Sequence, residues 1–164
     1  MKMVKVLLVS IVGLFVCANI QALDPRYAHT PGAQYKHECF SDNVKIQEVS
    51  AQELLRKIKK NNNIVVVNVL GARFHEDAHI AGSINAPLRF LQDQAYSWDR
   101  DKEIVVYCAC KECDASIKAY KLLKYMGFKR VFAYEGGMRQ WFQLGYPCGG
   151  LCKEDYLREP CAQD

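Results

Sequence analysis

Three runs of branched apolar residues constrain this chain more than any other feature. Ile64–Leu70, Glu103–Tyr107 and Arg130–Tyr134 are rich in Ile, Val and aromatic residues and show no clean polar alternation. A strand with one wet face alternates, whereas a strand covered on both faces reads as a continuous apolar run. Helical segments separate these runs. Ser50-Ala-Gln-Glu53 forms a capping box ahead of Leu54, Leu55 and Ile58, and a second helix is predicted over Asp114–Met126, closed by Gly127. A third, short helix runs through Trp141 to Leu144 and ends at Gly145. Val44–Val49 alternates and is expected to add a short strand. Strand and helix in repeated succession imply right-handed crossovers and a parallel sheet. The expected fold is therefore α/β, a single three-layer domain over residues 44–147 with a mainly parallel sheet flanked by helices.

The chain has 164 residues, of which 50% are hydrophobic and 24% charged, enough to build one core and keep it in solution. Its net charge of +4 includes Lys2 and Lys5, which precede an uncharged apolar run, Val6–Ile20. That run is shorter than the roughly 20 residues of a membrane span. With Ile20-Gln21-Ala22 as a cleavage context, residues 1–22 read as a secretory signal peptide, followed by an irregular extension over 23–43. Export to the periplasm or medium, without stable membrane insertion after cleavage, is the expectation. A charge balance this close to neutral leaves no basic footprint for nucleic acid.

Cysteine usage divides in two. Of eight cysteines, Cys17 leaves with the signal, and Cys39, Cys148, Cys152 and Cys161 lie outside the predicted core. These four could form two disulfides tying the tails, including residues 148–164, to the domain, each worth roughly 2–4 kcal/mol. Their pairing stays open. The other three stand together in Cys108-Ala-Cys110-Lys-Glu-Cys113, directly after a buried strand and before a helix. Active groups of an open parallel sheet lie beyond the carboxyl ends of its strands. The amides of Ala109–Ser116 can curl around a sulfur there, and the following helix favours an anion, so a reactive thiolate is expected.

Several segments together resemble a rhodanese homology domain: His79-Ile-Ala-Gly-Ser-Ile-Asn-Ala-Pro87, Ile104-Val-Val-Tyr-Cys108, and Gly127 through Glu135-Gly-Gly137 to Trp141 and Gly145-Tyr-Pro147. The resemblance implies a single-domain sulfurtransferase without cofactor. A loop cysteine would accept a sulfane sulfur as a persulfide and pass it to a nucleophile, with small-molecule or protein donors and acceptors as partners. Position after the strand makes Cys108 the favoured acceptor. Counting back from Ser116 selects Cys110 instead, so the loop is longer than the common form by that spacing. Members with the longer loop often carry a second cysteine where Cys113 stands, and Cys110 or Cys113 could act as a resolving thiol. Ala109, Lys111, Glu112, Asp114, Ala115 and Ser116 would form the persulfide-binding loop.

The sequence also departs from the family pattern. Asn68 and Leu70 replace the usual Asp and Arg of the second strand, which removes an expected ion pair. The loop offers only Lys111 against Glu112 and Asp114, a poor seat for the thiosulfate dianion and better suited to persulfides or polysulfide. The arginine that ends the loop of the related phosphatases is absent. Two other classes compete: a thiol–disulfide redox protein using Cys110 and Cys113, and a non-catalytic binding module on the same fold. Metal binding by the three loop thiolates lacks an evident fourth ligand. His79 is expected as a hydrogen-bonded turn residue, Trp141 and Phe142 as support, Gly136 and Gly137 as a close backbone approach to the loop, and Lys59-Lys60 as a solvated helix end.

Overall fold

A computed structural model describes residues 44–60 and 63–159 of the chain. The expected signal peptide and extension, with Cys17, Cys39 and Cys161, lie outside the described residues. Helix α1 (Ala51–Lys60) follows the Ser50 cap, whose Oγ accepts the Glu53 amide at 3.2 Å. The chain continues through β1 (Ile64–Asn68), α2 (Ala72–Asp77), β2 (His79–Ile80), β3 (Ile84–Asn85), a 3-10 turn at Leu88–Phe90, and α3 (Leu91–Ala95). Then come β4 (Glu103–Tyr107), α4 (Ala115–Tyr125), β5 (Arg130–Tyr134), α5 (Gly137–Gln143), β6 (Cys148–Gly149) and a 3-10 turn at Asp155–Leu157.

The main sheet has the order β3-β1-β4-β5, and every pair in it is parallel. Alternate side chains of its strands enter two separate cores. Val67, Ile104, Val106 and Cys108 pack with Leu91, Ala119, Tyr120 and Leu123 from α3 and α4. Val66, Val105 and Tyr107 pack with Leu54 of α1 and Met138 and Trp141 of α5. Both faces are buried, which is why the strands show no alternation and why the three-layer expectation holds.

The strand predicted over Val44–Val49 reduces to one parallel bridge between Glu48 and Ala133. Around it the Val49 amide donates to the Ala133 carbonyl at 3.0 Å and the Ala133 amide to the Gln47 carbonyl at 2.8 Å. Earlier in the segment the Lys45 carbonyl accepts the Tyr120 hydroxyl at 3.1 Å. The segment after Pro147 packs onto the domain: β6 pairs antiparallel with β2, and Leu157 is fully buried.

The polar side chains within the sheet are satisfied, whereas His75 Nε2 and Tyr156 Oη lie buried without a hydrogen-bond partner. Asn68 donates to the Tyr107 hydroxyl at 3.2 Å and accepts the Leu70 amide at 2.9 Å, so the position needs no ion pair. Tyr107 Oη also accepts the Ile80 amide and meets Ser83 Oγ, pinning the segment between β2 and β3 to β4. Glu103 is buried between Lys57, at 2.7 Å, and Arg130.

Candidate active site

The loop from Cys108 to Asp114 leaves the carboxyl end of β4 and leads into α4, the place where such a sheet puts its chemistry. A turn within it is closed by the Cys113 amide donating to the Cys110 carbonyl at 3.1 Å. From the other side α5 supports it. The amides of Met138 and Arg139 donate to the carbonyls of Cys108 and Ala109, each at 2.9 Å. Gly137, at φ +64°, lies so close that an added Cβ would stand 2.6 Å from the Cys110 nitrogen and 2.7 Å from the Ala109 carbonyl carbon. This is the close backbone approach the two glycines suggest in the sequence.

The three cysteines occupy different environments. Cys108 is fully buried, and its thiol donates to the Cys113 carbonyl at 2.9 Å, with the Cys110 carbonyl at 3.5 Å and Ser116 Oγ at 3.4 Å. Its hydrogen bond to the Cys113 side chain, then burial, push this thiol far above its ordinary range; contacts to Ser116 oppose them. Cys113 is half-buried at the mouth of the loop. Its sulfur takes the Cys108 hydrogen bond first, then the backbone amides of Ala115 and Ala109, and is held down to about 6 against burial and Asp114. The loop amides are shared, with Ala115 and Ala109 favouring the Cys113 thiolate and Ser116 that of Cys108. Cys108 continues the inward alternation of β4, packing with Val106 and Ala119, whereas Cys113 stands two residues before α4.

Cys110 has a third setting. Burial first, and a hydrogen bond to the Glu112 side chain, push its thiol up, while the nearby Arg139 pulls it down. Arg139, on α5, is the functional neighbour that sequence reasoning missed. It is buried and reaches Glu112 at 3.3 Å, Glu159 at 3.2 Å and the Tyr156 carbonyl at 2.9 Å. The loop thus meets a guanidinium contributed from outside itself, although one already matched by two carboxylates. Only its position two residues after the Gly-Gly pair could have drawn attention to it.

Lys111 lies at the edge of a cleft of about 630 Å³, shared with Glu48–Gln52, Tyr134, Glu135, Gly136, Gln140 and Leu144. In this cleft burial, and then Glu48, push the Glu135 carboxyl up, while Lys111 opposes them. Ser116 is buried against Cys108, Asp114 precedes α4 and pairs with Lys118, and Glu112 faces Arg139. His79 stands apart from this group, its Nδ1 2.7 Å from the His75 carbonyl and its ring stacked on His75 at 4.2 Å. Trp141 donates to the Pro147 carbonyl at 2.9 Å within the core, while Phe142 is half-buried beneath Arg158. Among the described residues no group of three or more Cys, His, Asp or Glu is arranged to hold a metal ion, and no helix is long and apolar enough to cross a membrane.

An open parallel sheet with a thiol loop at the end of a central strand defines a class of cysteine-loop α/β domains, and comparison with known families identifies which. Residues 50–144 match the rhodanese-like domain, and the chain belongs to that family. The chain is 29% identical over 96 residues to the thiosulfate sulfurtransferase GlpE of Coxiella burnetii, covering 58% of this chain and 84% of that one. It is 30% identical over 105 residues to YrkF of Bacillus subtilis, which bears the name of a sulfur carrier protein. That alignment takes in 63% of this chain and only 56% of YrkF. Among solved structures, the rhodanese-like domain of the Anabaena protein Alr3790 superposes with a TM-score of 0.60 at 27% identity, over 74% of this chain and 89% of that domain. These likenesses confirm the fold and support a sulfurtransferase of rhodanese type.

Proposed function

We propose that this protein is a sulfurtransferase in which Cys113 accepts a sulfane sulfur as a persulfide and hands it to a thiol or another nucleophile. The reading is supported by the half-buried position of Cys113 at the loop, where the Cys108 side chain, and then the Ala115 and Ala109 amides, hold its thiol down to about 6. Such a sulfur is a thiolate at neutral pH and a persulfide anion in the same place keeps the same donors. Cys108, the cysteine that strand position selects, is enclosed by the core and occupied as a donor. In the reaction the Cys113 thiolate attacks the sulfane sulfur of the donor. The donor's S–S bond breaks, the new Cys113–S–S⁻ forms, and the donor departs as a thiolate. Arg139 is matched by Glu112 and Glu159, so the site favours persulfide or polysulfide donors over thiosulfate. The neighbouring cleft has the size of small-ligand sites, about 300–1,000 Å³, and suits a low-molecular-weight acceptor.

The test is peptide mass spectrometry on reduced protein exposed separately to thiosulfate and to polysulfide. One added sulfur on Cys113, released by cyanide, is the expected result. Sulfur on Cys108 or Cys110 alone would overturn the assignment, and no sulfur from either donor, with a Cys110–Cys113 disulfide in its place, would move the protein to the redox class. We also propose export through the signal at residues 1–22. N-terminal sequencing of the mature protein should begin at Leu23; a chain starting at Met1 would contradict it.

A further inference from the structure

The segment after Pro147 carries two cysteines that take no part in the cysteine loop. Cys148 lies on β6, opposite Ile80 of β2, and Cys152 follows after Gly149-Gly150-Leu151. Both are half-buried thiols, and their sulfurs stand 3.5 Å apart. The backbone around them builds that approach. The Ala81 amide donates to the Pro147 carbonyl at 3.1 Å and fixes the chain as it enters the turn. A side chain at Gly149 would run into the His79 ring, and one at Gly150, whose φ is +94°, into the Asp77 carbonyl. Glycine at both positions lets the turn press closely on α2 and β2.

Cys152 has a φ of +52° and is the one non-glycine residue in the left-handed region among the described residues. A residue in that region has to be held there by its surroundings. Asp77 supplies the hold: its carbonyl accepts the Cys152 amide at 2.7 Å, and its carboxylate accepts the Lys153 and Glu154 amides at 3.0 and 3.2 Å. Arg158 adds another tie, donating to the Cys152 carbonyl at 2.9 Å. In this conformation the Cys152 sulfur turns back onto that of Cys148.

We infer that Cys148 and Cys152 form a disulfide, a modification site separate from the cysteine loop, which clasps the C-terminal segment to α2 and β2. The inference holds whichever loop cysteine takes the sulfur. A small disulfide such as glutathione disulfide is the oxidant. One cysteine thiolate attacks it, the S–S bond breaks, and one glutathione leaves as a thiolate. The second cysteine attacks the protein sulfur of the mixed disulfide and expels the other glutathione. Two cysteines are oxidised, one glutathione disulfide is reduced to two glutathiones, and the two cysteine protons go with them. The same segment carries the Tyr156 carbonyl and Glu159, both bound to Arg139, so the clasp also steadies the guanidinium that faces Glu112.

The test equilibrates full-length protein with mixtures of glutathione and glutathione disulfide, once native and once in urea, before acid quenching and digestion. Cleavage after Arg139 and Lys153 leaves both cysteines on the peptide Gln140–Lys153, apart from every other cysteine. The expected product is this peptide two hydrogens lighter. Its equilibrium constant of formation should be about tenfold or more larger in the native protein than in urea, because a fold that brings the sulfurs together favours the bond. Oxidised native protein should also be cut more slowly after Lys153 than reduced protein. Equal constants in native and unfolded chains, or glutathione retained on each cysteine separately, would overturn the inference. So would a Gln140–Lys153 peptide joined to one bearing Cys39, Cys161 or a loop cysteine. Equal cutting of oxidised and reduced protein would overturn the clasp.

Discussion

The Met138 amide donates to the Cys108 carbonyl at 2.9 Å, so the first turn of α5 holds the cysteine loop by its backbone. The contact depends on Gly137, whose φ of +64° and lack of Cβ let the two chains touch. Gly137→Ala should cost at least the 1–2 kcal/mol of a left-handed L-residue, roughly, and more for the collision with Ala109 and Cys110. Urea unfolding would give the stability loss. Alkylation of Cys113 should slow in the same variant, because displacing Ala109 removes one of its amide donors.

A second prediction concerns pH. The Cys113 thiol lies at about 6, so its thiolate is lost only as pH falls through 6, whereas an ordinary thiol is still mostly protonated at 7. The rate of iodoacetamide modification at Cys113 should rise with pH to a midpoint near 6 and level off by neutrality. The hydrogen bond from Cys108 is the first cause of the depression. In Cys108→Ala the midpoint should therefore move up toward the ordinary range. An unchanged midpoint would contradict that influence of Cys108 on Cys113.

Glu103 is 3% exposed and is gripped by Lys57 and Arg130, which face more water. Glu103→Gln removes the charge while both cations can turn to solvent, so the loss should be about 1–3 kcal/mol, the range for a charged hydrogen bond. Chemical denaturation should register it, and persulfide loading at the distant loop end of β4 should be unaffected.

Tyr107→Phe tests the other end of the same strand. Removing Oη leaves the buried Ile80 amide and Asn68 Nδ2 without their acceptor. A cost of about 1–3 kcal/mol is expected. Hydrogen exchange at the Ile80 amide should accelerate more than at amides of α4.

Arg139 joins the loop to the C-terminal segment through Glu112, Tyr156 and Glu159. Arg139→Met should free the segment around the Asp155–Leu157 turn, seen as faster limited proteolysis there. It should also raise the Cys110 thiol, since Arg139 is the first of the groups that hold it down, ahead of the Glu112 amide.

Three of the four strands of the main sheet were legible in the sequence because they are covered on both sides and carry an unbroken apolar signature, whereas β3, two residues long and partly exposed, was not. Glu103–Tyr107 and Arg130–Tyr134 match the observed strands end to end. Helices α2 and α3 were not legible: six and five residues long, they are too short to show a period. The Val44–Val49 expectation failed because alternation reports a face, not a partner. At the site, the sequence located the thiol loop but could not rank its cysteines. That ranking depends on which sulfur turns inward and which meets the amides, a matter of loop geometry. Arg139 escaped because it reaches the loop across the fold from a helix starting 29 residues after Cys108, at Gly137.

The brevity of the border pairings has a consequence for how copies of this protein behave together. On one side of the main sheet β3 pairs with β1 over two residues, and on the other the chain meets β5 at the single Glu48–Ala133 bridge. Fibre growth by strand addition requires a long row of unmatched main-chain donors and acceptors on which a neighbour can align. Among the described residues both margins break off into irregular backbone before such a row develops, so concentrated protein should resist stacking edge to edge into ordered aggregates.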